Sequence, residues 1–279
     1  MTTLCICGAG TMGSGIAQVA ATAGFTTLLF DVSEAAVQQA AVRLENDLGR
    51  LVEKGKLTAE EAKAILQRIA FLSDVKQCKA DVVIEAIVEK LDLKISLFQQ
   101  LAAINPPQTI FASNTSSLSI AAIAKALPHP ERFAGLHFFN PAPVMKLVEV
   151  VRGDRTADDV VQQLTDLTKS LGKVPVVCND SPGFIVNRVA RPFYIEALRI
   201  AEEGSVAYNT IDQLLEGVGF RMGPFKLMDL IGNDVNYAVS CSVYEQLQKP
   251  VRLKPSYLQQ EKVENGELGK KTGKGYYPY

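Results

Sequence analysis

Three glycines, spaced Gly8-x-Gly10-x-x-Gly13, directly follow the apolar run Leu4, Cys5, Ile6, Cys7. That spacing suits a tight turn from strand to helix whose backbone N–H groups cradle phosphate. Gly8 permits the turn, Gly10 lets the backbone approach a pyrophosphate, and Gly13 lets helix and strand pack closely. A glycine triplet alone is a weak signal. Asp31 strengthens it, because it closes a second apolar run about 18 residues beyond Gly13, where an acid accepts a hydrogen bond from a ribose 2′-hydroxyl. A carboxylate there repels a 2′-phosphate, and no Lys or Arg follows before Arg43. Gly8, Gly10, Thr11, Met12, Gly13 and Asp31 are therefore candidates to bind a dinucleotide, NAD rather than NADP.

The second candidate centre is His137, in His137-Phe138-Phe139-Asn140-Pro141. A lone histidine on an apolar strand is more often a satisfied core residue than a catalyst. This one falls at a predicted strand end, where open parallel sheets bind ligands, and Glu149 closes the next strand-like run. Glu149 also reads as a solvated strand-end charge.

The elements that must position these residues alternate. Strands are predicted at residues 4–7, 26–30, 81–86, 109–113, 133–138, 147–151 and 174–178, and helices at 14–23, 34–54, 58–68, 90–104, 119–127 and 157–171. Ser33 is a natural N-cap, Gly55 a breaker, and Thr58-Ala59-Glu60-Glu61 a capping box, so a helical hairpin separates the second strand from the third. This alternation predicts a Rossmann-type α/β domain, a mainly parallel sheet covered on both faces, over residues 1–180. Ser181-Pro182-Gly183 then opens a long helix to about Glu203. Everything beyond reads helical, with Pro224 and Pro255 at helix starts, giving an all-helical C-terminal domain over 181–279.

Composition narrows the function classes. The 279 residues carry 29 Lys plus Arg against 30 Asp plus Glu, a net charge of -1, so nothing global draws the chain to nucleic acid or an acidic membrane. Five scattered cysteines suit a reduced, cytoplasmic protein, with Cys5 and Cys7 as small core residues. Two histidines and no long apolar stretch leave no expectation of a metal centre or a membrane span.

Five segments together carry a family resemblance: residues 8–17 (GAGTMGSGIA), 113–118 (SNTSSL), 135–151 (GLHFFNPAPVMKLVEVV), 181–188 (SPGFIVNR) and 268–277 (LGKKTGKGYY). On these motifs the chain resembles the short-chain L-3-hydroxyacyl-CoA dehydrogenases, over nearly its whole length. The resemblance implies NAD-dependent oxidation of the 3-hydroxyl of an acyl-coenzyme A thioester. It implies a catalytic His137 paired with Glu149, with Ser116 and Asn187 beside the substrate, and NAD contacts at Asp31, Glu89, Lys94, Ser116, Asn140 and Lys271. The tail departs from the family's usual pattern, ending Tyr276-Tyr277-Pro278-Tyr279.

Read without the resemblance, Ser116 belongs to an ordinary turn and cap, and Asn187 to a helix surface. Two other classes stay open on such a scaffold: a sugar-acid dehydrogenase, and a crystallin-like structural protein. Residues 221–239 also look like 3-hydroxyadipyl-CoA dehydrogenases, whose acyl chain carries a distal carboxylate. Arg50 and Lys54, four apart on one helix face, are candidates to attract the polyanionic coenzyme A, against a reading in which Glu45, Asp47 and Glu53 balance them. Apolar runs at 225–231 and 237–243 predict a homodimer through the helical domain.

Overall fold

The structure, a computed structural model, describes residues 2–279, which form two compact units divided between Asp180 and Ser181. The strands of the first unit are β1 (Thr3–Cys7), β2 (Thr26–Phe30), β3 (Ile69–Leu72), β4 (Val82–Glu85), β5 (Ile110–Ser113), β6 (Phe133–Phe138), β7 (Leu147–Arg152) and β8 (Val174–Asn179). They form one sheet in the order β3-β2-β1-β4-β5-β6-β7-β8. Every neighbouring pair is parallel except β6 and β7. The strand order reverses beside β1, between β2 and β4, so the chain leaves β1 and β4 in opposite directions and opens a crevice at their carboxyl ends.

The helices of this unit are α1 (Thr11–Thr22), α2 (Glu34–Glu53), α3 (Ala59–Gln67), α4 (Leu91–Ile104), α5 (Ile120–Ala124) and α6 (Asp158–Ser170). Strand periodicity sends the β1 side chains to opposite faces. Leu4 and Ile6 join a core with Ile16, Ala17, Ala40 and Leu44. The aromatic cluster of Phe98, Phe111 and Phe133, with ring centroids 4.9 and 6.0 Å from Phe98, adds further packing. Cys5 and Cys7 are fully buried, as expected of small core residues. The hairpin caps form as the sequence indicates: Ser33 accepts from the Ala36 amide, and Thr58 and Glu61 exchange hydrogen bonds in a capping box. Each such cap is worth about 1 kcal/mol.

The second unit is helical: α7 (Val186–Glu202), α8 (Tyr208–Gly217), α9 (Pro224–Ile231), α10 (Asn233–Gln246) and α11 (Tyr257–Glu264). Tyr194, Leu198, Ile211, Phe225, Met228 and Tyr276 make its core. Gly223 cannot cap α9, so Asp212 reaches across from α8 and accepts from the Phe225 and Lys226 amides, both at 3.0 Å. Asp229, fully buried, accepts from the Tyr276 and Tyr277 amides and the Tyr279 hydroxyl, fixing the tail to α9.

The α/β class and the helical C-terminal part stand, and several details differ. Strand β3 was not anticipated: four residues with no alternating pattern are too short a signal, and pairing with β2 is what makes them a strand. Helix α1 begins at Thr11 rather than Ser14. Ser181-Pro182-Gly183 forms a turn, with Gly183 and Phe184 at positive φ, and the long helix starts only at Val186. Pro255 lies outside α11, whose N-cap is Ser256. The tail after Leu268 folds into a 3-10 turn and two isolated bridges, not a helix.

Candidate active site

The glycine turn is built as its spacing indicates. Gly8 has φ +110, and a Cβ there would lie 2.5 Å from the Ala86 carbonyl oxygen; one on Gly13 would lie 1.7 Å from that of Gly8. Both contacts are with backbone, which cannot yield. A Cβ on Gly10 would meet nothing within 4 Å, so the backbone at Gly10 borders open space. That space is a cavity of about 930 Å³ whose lining includes Gly8, Gly10, Thr11, Met12, Asp31 and Val32. Gly10, the N-cap of α1, offers no side-chain cap. The first turn of α1 therefore presents its N–H groups and dipole to an anion. The Ala9 and Ser33 amides donate to the two oxygens of Asp31, at 2.9 and 3.0 Å, holding the carboxylate on the cavity wall. These residues fit a dinucleotide carrying a ribose 2′-hydroxyl.

At the carboxyl end of β4, Glu85 and Glu89 share the ammonium of Lys94, at 2.5 and 3.1 Å. Lys94, expected as a cofactor contact, is closed off, with 1% of its side chain exposed. The other Glu89 oxygen accepts from the Thr115 hydroxyl at 2.6 Å and from the Ser116 and Ser117 amides at 2.9 and 3.2 Å. Burial pushes the Glu85 carboxyl above the usual carboxylate range, against the opposing pull of Lys94. Burial acts on Glu89 in the same direction, but Lys94 and the Thr115 hydroxyl outweigh it and hold that carboxyl below.

His137 lies on β6 directly opposite Glu149 on antiparallel β7, and its Nδ1 is 2.7 Å from a Glu149 carboxylate oxygen. Both are buried, at 5% and 1% exposure. The adjoining loop is pinned on two sides. Asn114 accepts from the Phe138 amide at 2.7 Å, and the Lys173 ammonium donates to the carbonyls of Ala142 and Met145, which flank the turn after Asn140. Asn140 is exposed.

In the second unit, Asn187 is in the first turn of α7, where its carbonyl accepts from Arg191. Lys271 pairs with Asp234 at 2.6 and 2.7 Å. In the first unit, Arg50 lies in the last turn of α2, 3.7 Å from Asp47, and Lys54 caps that helix; both are exposed. The Arg50 charge is thus partly balanced locally. Glu85, Ser113, Thr115 and Lys173 were not singled out from sequence. A signal existed for Glu85, an acid closing the apolar strand Val82–Glu85 much as Asp31 closes its own. Among the described residues no group of three or more His, Cys, Asp or Glu is placed to hold a metal, and no helix is long and apolar enough to cross a membrane.

Residues 3–181 match the family model of the 3-hydroxyacyl-CoA dehydrogenase NAD binding domain, and residues 183–279 match that of the 3-hydroxyacyl-CoA dehydrogenase C-terminal domain. The chain belongs to the 3-hydroxyacyl-CoA dehydrogenase family, whose cofactor is NAD. It is 53% identical over 99% of its length to a 3-hydroxyadipyl-CoA dehydrogenase of Escherichia coli K12, spanning 59% of that longer protein. It is 42% identical to a probable 3-hydroxybutyryl-CoA dehydrogenase of Deinococcus radiodurans, with 98% of this chain and 99% of that one covered. The crystal structure of (S)-3-hydroxybutyryl-CoA dehydrogenase from Ralstonia eutropha superposes with a TM-score of 0.95 at 40% identity, covering 100% and 99% of the two chains.

Proposed function

We propose that this protein oxidises the 3-hydroxyl of a short (S)-3-hydroxyacyl-CoA to the ketone and catalyses the reverse reduction. The observation that carries the reading is the buried 2.7 Å contact of His137 Nδ1 with Glu149 at the carboxyl end of β6. With Nδ1 turned to the carboxylate, proton exchange with substrate falls to Nε2. His137 takes the 3-hydroxyl proton as general base and returns it in reduction. Glu149 orients the ring and stabilises the imidazolium as it forms, the pairing that makes a buried histidine an effective base. Bound NAD supplies the hydride acceptor. Gly8, Gly10, Thr11, Met12, Gly13 and Asp31 hold it, with Glu89, Ser116, Asn140 and Lys271 as further contacts. Ser116 and Asn187 donate to substrate oxygens where negative charge develops.

A second reading, a distal carboxylate on the acyl chain, is favoured by the 53% identity to the E. coli 3-hydroxyadipyl-CoA enzyme. Steady-state NADH oxidation with acetoacetyl-CoA, longer 3-ketoacyl-CoAs and 3-oxoadipyl-CoA tests both readings. Turnover of none would overturn the assignment. His137→Gln should lower kcat by at least about a hundredfold with the NADH Kd unchanged.

The first unit serves cofactor binding, and the second substrate binding and dimerisation. Phe225, Met228, Val239 and Val243 of the apolar runs are spent on the unit's own core, whereas Leu230, Ile231 and Val235 stay exposed. Apolar exposure of this kind supports a homodimer, which a monomeric sedimentation coefficient would disprove. Five unpaired cysteines support a cytoplasmic location.

A further inference from the structure

Between the glycine turn and the Ser116 turn lies a cluster of which the functional reading above uses only Glu89. Glu85 is fully buried at the carboxyl end of β4, and each of its oxygens is occupied. One accepts from Lys94 Nζ at 2.5 Å and from the Ile87 amide at 2.7 Å, the other from the Ser113 hydroxyl at 2.6 Å. Ser113 Oγ in turn accepts from the Thr115 amide at 3.3 Å. The opposite side runs from Lys94 to Glu89 at 3.1 Å, and from Glu89 to the Thr115 hydroxyl at 2.6 Å. The contacts close into a ring: Glu85, Lys94, Glu89, Thr115, Ser113 and back to Glu85. Glu89 and Thr115 carry the ring outward to the Ser116 turn: Glu89 holds the Ser116 amide at 2.9 Å with its hydroxyl at 3.4 Å, and the Thr115 hydroxyl accepts from the Leu118 amide at 2.9 Å.

We propose that Glu85 is a positioning residue for this enzyme: through Lys94 it fixes the Glu89 carboxylate, and through Glu89 the turn that presents Ser116. The inference rests on the functional reading above, in which Ser116 meets substrate and cofactor. Buried charges persist where they are paired and hydrogen-bonded, and removing one member unbalances the rest. Without the Glu85 charge, the Lys94 ammonium has one carboxylate partner in the ring instead of two. It then draws Glu89 towards itself and away from the amides of the Ser116 turn. A residue buried for stability alone would not send its effect through Glu89.

A double-mutant cycle separates these cases, because residues acting through one network are coupled while independent ones add. Glu85→Gln, Glu89→Gln and the double variant are compared by NADH fluorescence titration and by kcat with the best acyl-CoA substrate. Glu85→Gln is expected to raise the NADH Kd severalfold and to lower kcat by about tenfold, less than the roughly hundredfold that a misplacement of about 1 Å can cost. In the Glu89→Gln background the same change should move either quantity by less than about twofold. Losses that multiply in the double variant, or a Glu85→Gln enzyme with wild-type Kd and kcat, would overturn the proposal. Should Glu85→Gln fail to fold, Lys94→Gln enters the cycle in its place, with the same outcomes expected and the same ones fatal. A wild-type protein that binds NADH but turns over no 3-ketoacyl-CoA defeats the functional reading instead, and the titration arm still decides the coupling.

Discussion

Replacing Glu149 by glutamine tests the centre of the site with little change of shape. The side chain is 1% exposed and 2.7 Å from His137 Nδ1. The amide oxygen of glutamine can still accept from Nδ1, so the ring keeps its place while the charge is lost. Two estimates bracket the cost of forming the imidazolium without that charge. Unit charges roughly 4 Å apart attract by about 4 kcal/mol at an effective dielectric of about 20. The difference between a charge-assisted and a neutral hydrogen bond is about 1 to 2 kcal/mol. A loss near the middle of this range, about 2 to 3 kcal/mol, corresponds to a fall in kcat of roughly 30- to 150-fold. The charge matters in the transition state and not in cofactor binding, so the NADH Kd from fluorescence titration should stay at the wild-type value. Initial rates of NADH oxidation with saturating acetoacetyl-CoA provide kcat. A Glu149→Gln enzyme within about threefold of wild type would refute the reasoning, since the carboxylate would then contribute nothing that the amide lacks.

Asp31, fixed by the Ala9 and Ser33 amides, should make the wild type prefer NADH to NADPH; Asp31→Ala should narrow the ratio of kcat/KM values, and equal use of both by the wild type would contradict the assignment. Lys54→Ala should raise KM for the full acyl-CoA and weaken its dependence on ionic strength, leaving kcat with an N-acetylcysteamine thioester unchanged. An unaltered KM and salt profile would return Lys54 to a simple helix cap. In the tail, Lys262 and then Lys274 pull the Glu267 carboxyl down to about 2. A depressed carboxyl stabilises the fold above its ordinary range and loses that contribution as pH falls towards about 2. Thermal unfolding scans should therefore show Tm falling over that acid window in the wild type and falling less in Glu267→Gln.

What the sequence determined by itself is mostly local. The Ser33 cap, the Thr58 capping box and the positive φ of Gly8 are legible from a few neighbouring residues, because each rests on a side chain or backbone preference that acts within one turn. The apolar runs also sufficed to establish an α/β part followed by a helical one, because the helical and strand periods differ. Tertiary structure decided whatever depends on partners far along the chain. Strand β3 exists because β2 offers it an edge, and Gly223 leaves the start of α9 to Asp212, eleven residues earlier in the chain. The hydrogen-bonded ring around Lys94 draws on three segments, and nothing in the spacing of Glu85, Lys94 and Ser113 announces it. His137 and Glu149 carry the same lesson at the site itself. Their types suggested chemistry, but only the antiparallel register of β6 and β7 sets them opposite each other, since a shift of one residue would have turned Glu149 to the other face of the sheet.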